Sequence, residues 1–131
     1  MKREGYNARW ANTFSFFVLL KGGLVVTENK WKQNLVERIE KDLPGSMIFH
    51  LNPHDYQGAP DLLILYKDKW ATLEGKKDSK ASHRSNQDYY VDKMNKMSYS
   101  RIIYPENEEE VLDELYATLQ SGRKTRHARR K

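Results

Sequence analysis

Residues 61 to 76 read DLLILYKDKWATLEGK, and the reading of this stretch decides the fold. Asp61 to Tyr66 is a short apolar run bounded by turn residues, the signature of a buried strand. Lys67-Asp68-Lys69 supplies a tight turn, and Trp70 to Lys76 returns as the paired strand. Glu74 and Lys76 lie two apart on that return strand, so both side chains point to one face. Pairing through the turn brings Asp61 and Glu74 together at the same end of the hairpin.

Working outward, Thr27 is a suitable N-cap, and from Glu28 onward Trp31, Leu35, Ile39 and Leu43 recur every four residues as a helical stripe that Pro44-Gly45 ends. A strand is expected at Met47 to Leu51, then a loop over Asn52 to Pro60. Beyond the hairpin, residues 78 to 86 are polar, a helix runs from about Ser85 to Lys96, and Arg101 to Tyr104 forms another strand. Asn107 to Leu119 closes the pattern as a helix, with Val111, Leu112, Leu115 and Leu119 on one face and Glu108 to Glu110 near its N-terminus. Phe14 to Val26 reads as a hairpin turning at Gly22-Gly23 or as a helix stopped there, with aromatic and β-branched content leaning toward strand. The order helix, strand, hairpin, helix, strand, helix describes an α/β protein with a mixed sheet flanked by helices.

Two carboxylates at one spot repel one another unless a cation or proton lies between them. Oxygen ligands of this kind select a hard ion such as Mg²⁺, with Mn²⁺ able to substitute. Such an ion polarises a phosphodiester and lowers the pKa of a bound water, and Lys76 beside it can orient that water or stabilise developing charge. Alone, a Pro-Asp pair is common in loops and Glu-x-Lys is frequent as a plain surface pair. Together, on a core hairpin, three charges are an expensive arrangement unless they act as a set.

Pro60-Asp61 followed a dozen residues later by Glu74-Gly75-Lys76 resembles the PD-(D/E)xK nuclease signature. Gln57-Gly58-Ala59-Pro60-Asp61-Leu62 further resembles the G-x-PD-hydrophobic run of the virus-type replication-repair nuclease (VRR-NUC) domains, and related hairpins occur in Holliday-junction resolvases. The resemblance spans about residues 28 to 104 and implies a restriction-endonuclease-like αβββαβ core. It implies that Asp61, Glu74 and the Gly75 carbonyl are metal ligands and that Lys76 is the catalytic lysine. It also implies a glutamate from the first helix. Glu28 is the choice, because Trp31 and Leu35 place it on the inward stripe; Glu40 is the fallback, and Glu37 looks more exposed. A favourable acid in a first helical turn explains Glu28 equally well. Gln87-Asp88-Tyr89-Tyr90 resembles the Q-x-x-Y element of exonuclease-like members, where Gln87 would bond a phosphate or the site lysine. Lys77, Lys80, His83 and Arg84 follow the motif as a basic stretch suited to backbone phosphate contacts, as is Tyr90 beside them. His50 and His54 flank the loop before Asp61 without the second nitrogen ligand that a zinc site needs. Tyr56 and Trp70 could stack on a base or simply pack.

The chain has 131 residues, the size of one domain, and is read as a nuclease domain over residues 1–122 with a basic tail over 123–131. Hydrophobic residues make up 38% and charged residues 31%. Cysteine is absent, which excludes disulfides and Cys-type zinc sites and fits a reducing cytoplasm. Phe14 to Val26 falls short of the ~20 apolar residues of a spanning helix and fits a signal peptide poorly, so no membrane association is expected. The net charge is +5, and six of the 23 basic residues fall within the tail (Arg123, Lys124, Arg126, Arg129, Arg130, Lys131), leaving 17 against 18 acids. Such a tail contacts nucleic acid or is a solvated terminus.

These features lead to a Mg²⁺-dependent DNA endonuclease as the first expectation, acting on duplex or branched DNA. A structure-selective enzyme cutting junctions or flaps is one version, for which a homodimer would present two sites; a general nuclease of phage-type replication, repair or recombination is another. A non-catalytic nucleic-acid-binding module on the same fold is the alternative, and a pure protein-interaction domain is a third reading that leaves the charged hairpin unexplained.

Overall fold

The computed structural model describes residues 17–20, 23, 25–52, 57–83 and 85–121. Helix α1, Glu28–Asp42, begins where expected: Thr27 is its N-cap, and the Thr27 hydroxyl accepts a 3.0 Å hydrogen bond from the Lys30 amide. Trp31, Leu35 and Ile39 make its buried stripe. Leu43 caps the C-terminal end, its amide bonding the Ile39 carbonyl at 2.8 Å, and Gly45 turns the chain with a φ of 93° that glycine adopts without strain.

Before α1, strands β1 (Phe17–Leu19) and β2 (Val25–Thr27) pair antiparallel, so the described parts of the early apolar stretch are strand, while residues 14–16, 21, 22 and 24 lie outside the described residues. The main sheet contains β3 (Met47–His50), β4 (Leu62–Tyr66), β5 (Lys69–Gly75) and β6 (Tyr99–Ile103) in that spatial order. The first three run antiparallel, and β6 is parallel to β5. A parallel pair needs a crossover, and helix α2 (Ser85–Met97) provides it. Helix α3 (Glu108–Leu119) follows a short 3₁₀ turn at Pro105–Asn107.

The hairpin turn is tighter than the sequence indicates. Tyr66 pairs with Lys69, so Lys67 and Asp68 alone make the reversal, and Lys67 adopts a φ of 57°. Strand β6 starts two residues earlier than expected, because the chain leaves α2 at Ser98 and pairs at once. The Ser98 amide closes the helix on Met94, its hydroxyl bonds the Trp70 carbonyl, and Thr72 and Ser100 form a buried 2.7 Å hydroxyl pair across β5 and β6.

One face of the sheet supplies Leu62, Ile64, Ala71 and Leu73 to a core completed by Trp31, Leu35 and Ile39 of α1 and by Val111, Leu112, Leu115 and Leu119 of α3. The acids that open α3 do more than complement its dipole. Glu108 accepts from the Trp31 indole at 2.9 Å and from Arg38 at 3.0 Å, and Glu109 accepts from Arg38 at 2.8 Å, so α1 and α3 are held together by a polar clasp beside the core. Among the described residues, no helix is long and apolar enough to cross a membrane.

Candidate active site

The loop into β4 is set by Gly58, whose φ is 92° and which packs against the start of α2; a β-carbon there would overlap the Asn86 side chain. The Leu51 amide then bonds the Asp61 carbonyl at 2.8 Å, fixing the residue at the mouth of β4. Because Leu62 pairs with Leu73, the next position brings Asp61 opposite Glu74.

Backbone amides tie the two acids across the strand pair. The Asp61 amide donates to Glu74 Oε1 at 3.1 Å, and the Gly75 amide donates to Asp61 Oδ2 at 3.2 Å. From α2, Gln87 completes the Glu74 side. Its Nε2 donates to Glu74 Oε2 at 2.9 Å, while its Oε1 accepts from Lys76 Nζ at 2.7 Å. Lys76 itself lies just past β5, where its amide continues the ladder to the Ile103 carbonyl at 2.8 Å, and its ammonium is 3.7 Å from Glu74 Oε2. Asp61, Glu74, Lys76 and Gln87 therefore form one continuous polar set at the end of the sheet.

From α1 comes a residue that the sequence motif does not reveal. Lys32 Nζ is 3.0 Å from Asp61 Oδ2 and 3.5 Å from Glu28 Oε2. Glu28 thus borders the site through Lys32, whereas Glu37 and Glu40 are exposed on the far side of the helix. The pair Glu28 and Lys32, one helical turn apart, is the signal that the sequence carries.

Burial differs sharply across the acid pair. The Glu74 side chain is 6% exposed, while the Asp61 side chain is 32% exposed. Burial, reinforced by the negative charge of Asp61, pushes the Glu74 carboxyl up to about 7, against the opposing pull of Lys32 and Lys76. Burial works against the charge on Lys32, but Asp61 and Glu28 outweigh it and hold that ammonium above the ordinary lysine value. A buried carboxyl lifted toward neutrality beside a second carboxylate marks a perturbed pair of the kind that gathers at functional sites.

Among the described residues, no three His, Cys, Asp or Glu side chains gather into a metal-holding group. The donor set still fits one hard divalent ion, because Mg²⁺ is commonly held by one or two carboxylates and keeps several waters. Asp61 offers a half-exposed carboxylate for that purpose, and each carboxylate oxygen has lone pairs beyond those its hydrogen bonds use.

The remaining expected contacts are dispersed. Lys77 is half-buried and Lys80 is exposed, on a loop tethered by Ser79 to Glu106 and by His83 to Asp88 at 2.9 Å. Tyr90 is half-buried, and it is Tyr89, 57% exposed and edge-on to Tyr90, that presents an open ring with Lys93 Nζ 5.8 Å from its centre. Trp70 is half-buried and His50 exposed. His54, Tyr56, Arg84 and the tail residues Arg123, Lys124, Arg126, Arg129 and Arg130 lie outside the described residues.

No family model matches the sequence, and no curated protein matches it significantly. Solved structures do. A structure described as a VRR_NUC domain superposes with a TM-score of 0.55 at 19% identity, covering 70% of this chain and all of its own. Another, described as a VRR_NUC domain protein, superposes with a TM-score of 0.51 at 17% identity, covering 72% of this chain and 90% of its own. The fold, a four-stranded mixed sheet flanked by helices, is therefore that of VRR_NUC domains.

Proposed function

We propose that this protein, built on the VRR_NUC fold, is a metal-dependent nuclease that hydrolyses phosphodiester bonds in DNA. The observation that supports this reading is the joined set of Asp61, Glu74, Lys76 and Gln87, four polar groups from three elements meeting at one end of the sheet.

Asp61 and Glu74, with the Gly75 carbonyl, would hold Mg²⁺ or Mn²⁺. When bound, the ion supplies Lewis acidity toward a phosphodiester oxygen and a water acidic enough to attack near neutral pH. The chain's own groups prepare that chemistry. Lys76 brings a positive charge to the site, where it orients the attacking water or stabilises charge gathering on the phosphoryl oxygens. Gln87 holds the Lys76 ammonium and the Glu74 carboxylate at once, so neither is free to swing away. The open ring of Tyr89 with nearby Lys93, and the loop carrying Lys77 and Lys80, would contact the nucleic-acid backbone or an unpaired base. Duplex or branched DNA is the proposed substrate, with the basic tail adding phosphate contacts.

The test is Asp61→Ala on the full chain. Cleavage lost with DNA binding retained supports the reading. Cleavage retained at the wild-type rate overturns it.

A further inference from the structure

Lys32 has no part in the hydrolytic scheme above, yet its ammonium lies in the site. It stands 3.0 Å from Asp61 Oδ2 and 3.5 Å from Glu28 Oε2, on the α1 side of the acid pair. The opposite, α2 side is already filled by Lys76 and Gln87 on Glu74. We propose that Lys32 is a resident cation that holds the α1 side of Asp61, so that the site accepts a single divalent ion and not a pair. This inference rests on the metal-dependent reading given above.

Position decides the matter. Hydrolases with two ions set them about 3.5–4 Å apart, so that they share ligands. A second ion beside Asp61 would draw on a further acid, and Glu28 stands on that side, 3.5 Å from the ammonium that contacts Asp61. Lys32 already lies between those two carboxylates. An ammonium is a compact point charge with three donors, so it pairs with both carboxylates and offsets one of their two negative charges without needing the fuller ligand shell of a divalent ion.

The glycine at position 75 belongs to the same arrangement. A β-carbon there would come within 3.0 Å of Lys32 Cε and 3.5 Å of the Trp31 ring. A side chain at 75 would crowd the lysine stem, and glycine leaves that close passage relaxed. The middle residue of Glu74-Gly75-Lys76 and the lysine on α1 are thus sterically matched across the end of the sheet.

The experiment counts ions and does not read activity. The full chain is titrated with MnCl₂, and bound Mn²⁺ is obtained from the electron paramagnetic resonance of the free ion. Wild type is expected to take up one Mn²⁺ per chain. Lys32→Gln and Lys32→Met, which keep the stem and remove the charge, are expected to take up two. Lys32→Arg keeps the charge and is expected to return the count to one, as is Lys32→Gln combined with Glu28→Gln. Thermal melts establish that each variant is folded, and the methionine variant guards against a packing loss in the glutamine one. Wild type at one ion with both neutral variants also at one overturns the role of Lys32 alone. Two ions in wild type overturn it as well. No ion bound by wild type overturns the metal-dependent reading, and the role of Lys32 falls with it.

Discussion

Gln87 Nε2 donates a 2.9 Å hydrogen bond to Glu74 Oε2, so the orientation of the buried acid on β5 is set by a side chain from the first turn of α2. The other end of the same amide accepts from Lys76 at 2.7 Å. Gln87→Ala releases both groups together. The expected result is a fall in single-turnover cleavage of about 10–100-fold, the usual cost of removing a partner that orients site ligands. KM should change little, because Gln87 acts through Glu74 and Lys76. A rate within twofold of wild type would remove Gln87 from the machinery.

Glu74 gives the protein a pH signature. Burial and the charge of Asp61 lift its folded-state carboxyl from an ordinary 4.5 to about 7. Between those values the folded protein binds more protons than the unfolded chain. This group's contribution to stability is therefore fully present at low pH, declines as pH rises through the window, and stays lost above it. Glu74→Gln removes the titration. Urea melts of that variant should show greater stability at pH 8, by about 3 kcal/mol at most, and little difference from wild type at the acid end. Parallel pH profiles for the two proteins would contradict a role for burial in holding the proton.

Gly58 fixes the approach to Asp61. Its φ of 92° lies in a region that side-chain-bearing residues rarely adopt, and Asn86 fills the space where a methyl group would go. Gly58→Ala is expected to cost roughly 2 kcal/mol or more, from strain and overlap together. Denaturant melts measure it, and a loss below about 0.5 kcal/mol would show that the loop shifts freely.

The basic tail makes a separate prediction, about binding alone. Six Lys and Arg fall within residues 123–131. Deleting that segment should weaken DNA binding and flatten the dependence of log K on log salt by about 0.9 for each phosphate the tail no longer neutralises. An unchanged slope would remove the tail from the interface.

Much of the site could be read along the chain. The β4–β5 hairpin is legible as a pair of strands because an apolar run is flanked by turn residues, but its register is not, since a three-residue turn at 67 to 69 and the observed two-residue turn differ by one position. Thr27 and the stripe of Trp31, Leu35 and Ile39 marked out α1 for the same kind of local reason. The start of β6 was not legible, because Ser98 carries no turn signature and its bonds go to Met94 and Trp70, whose nearness is tertiary. Lys32 is hidden in the sequence because a Glu–Lys pair one turn apart reads as ordinary surface decoration. Its approach to Asp61 depends on how α1 crosses the sheet, where the lysine stem passes close over Gly75. Tyr89 and Tyr90 are adjacent, and only the packing of α2 decides which ring faces water.

The most direct test is cleavage of labelled linear, flapped, four-way and single-stranded DNA in Mg²⁺, Mn²⁺ or EDTA, by wild type, Asp61→Ala and Lys76→Ala. A metal-dependent nuclease with this site is expected to cut at least one of these substrates as wild type, and to lose cutting in both variants. No cutting of any DNA by folded wild-type protein with either metal, or cutting that survives in EDTA or in both variants, would contradict it.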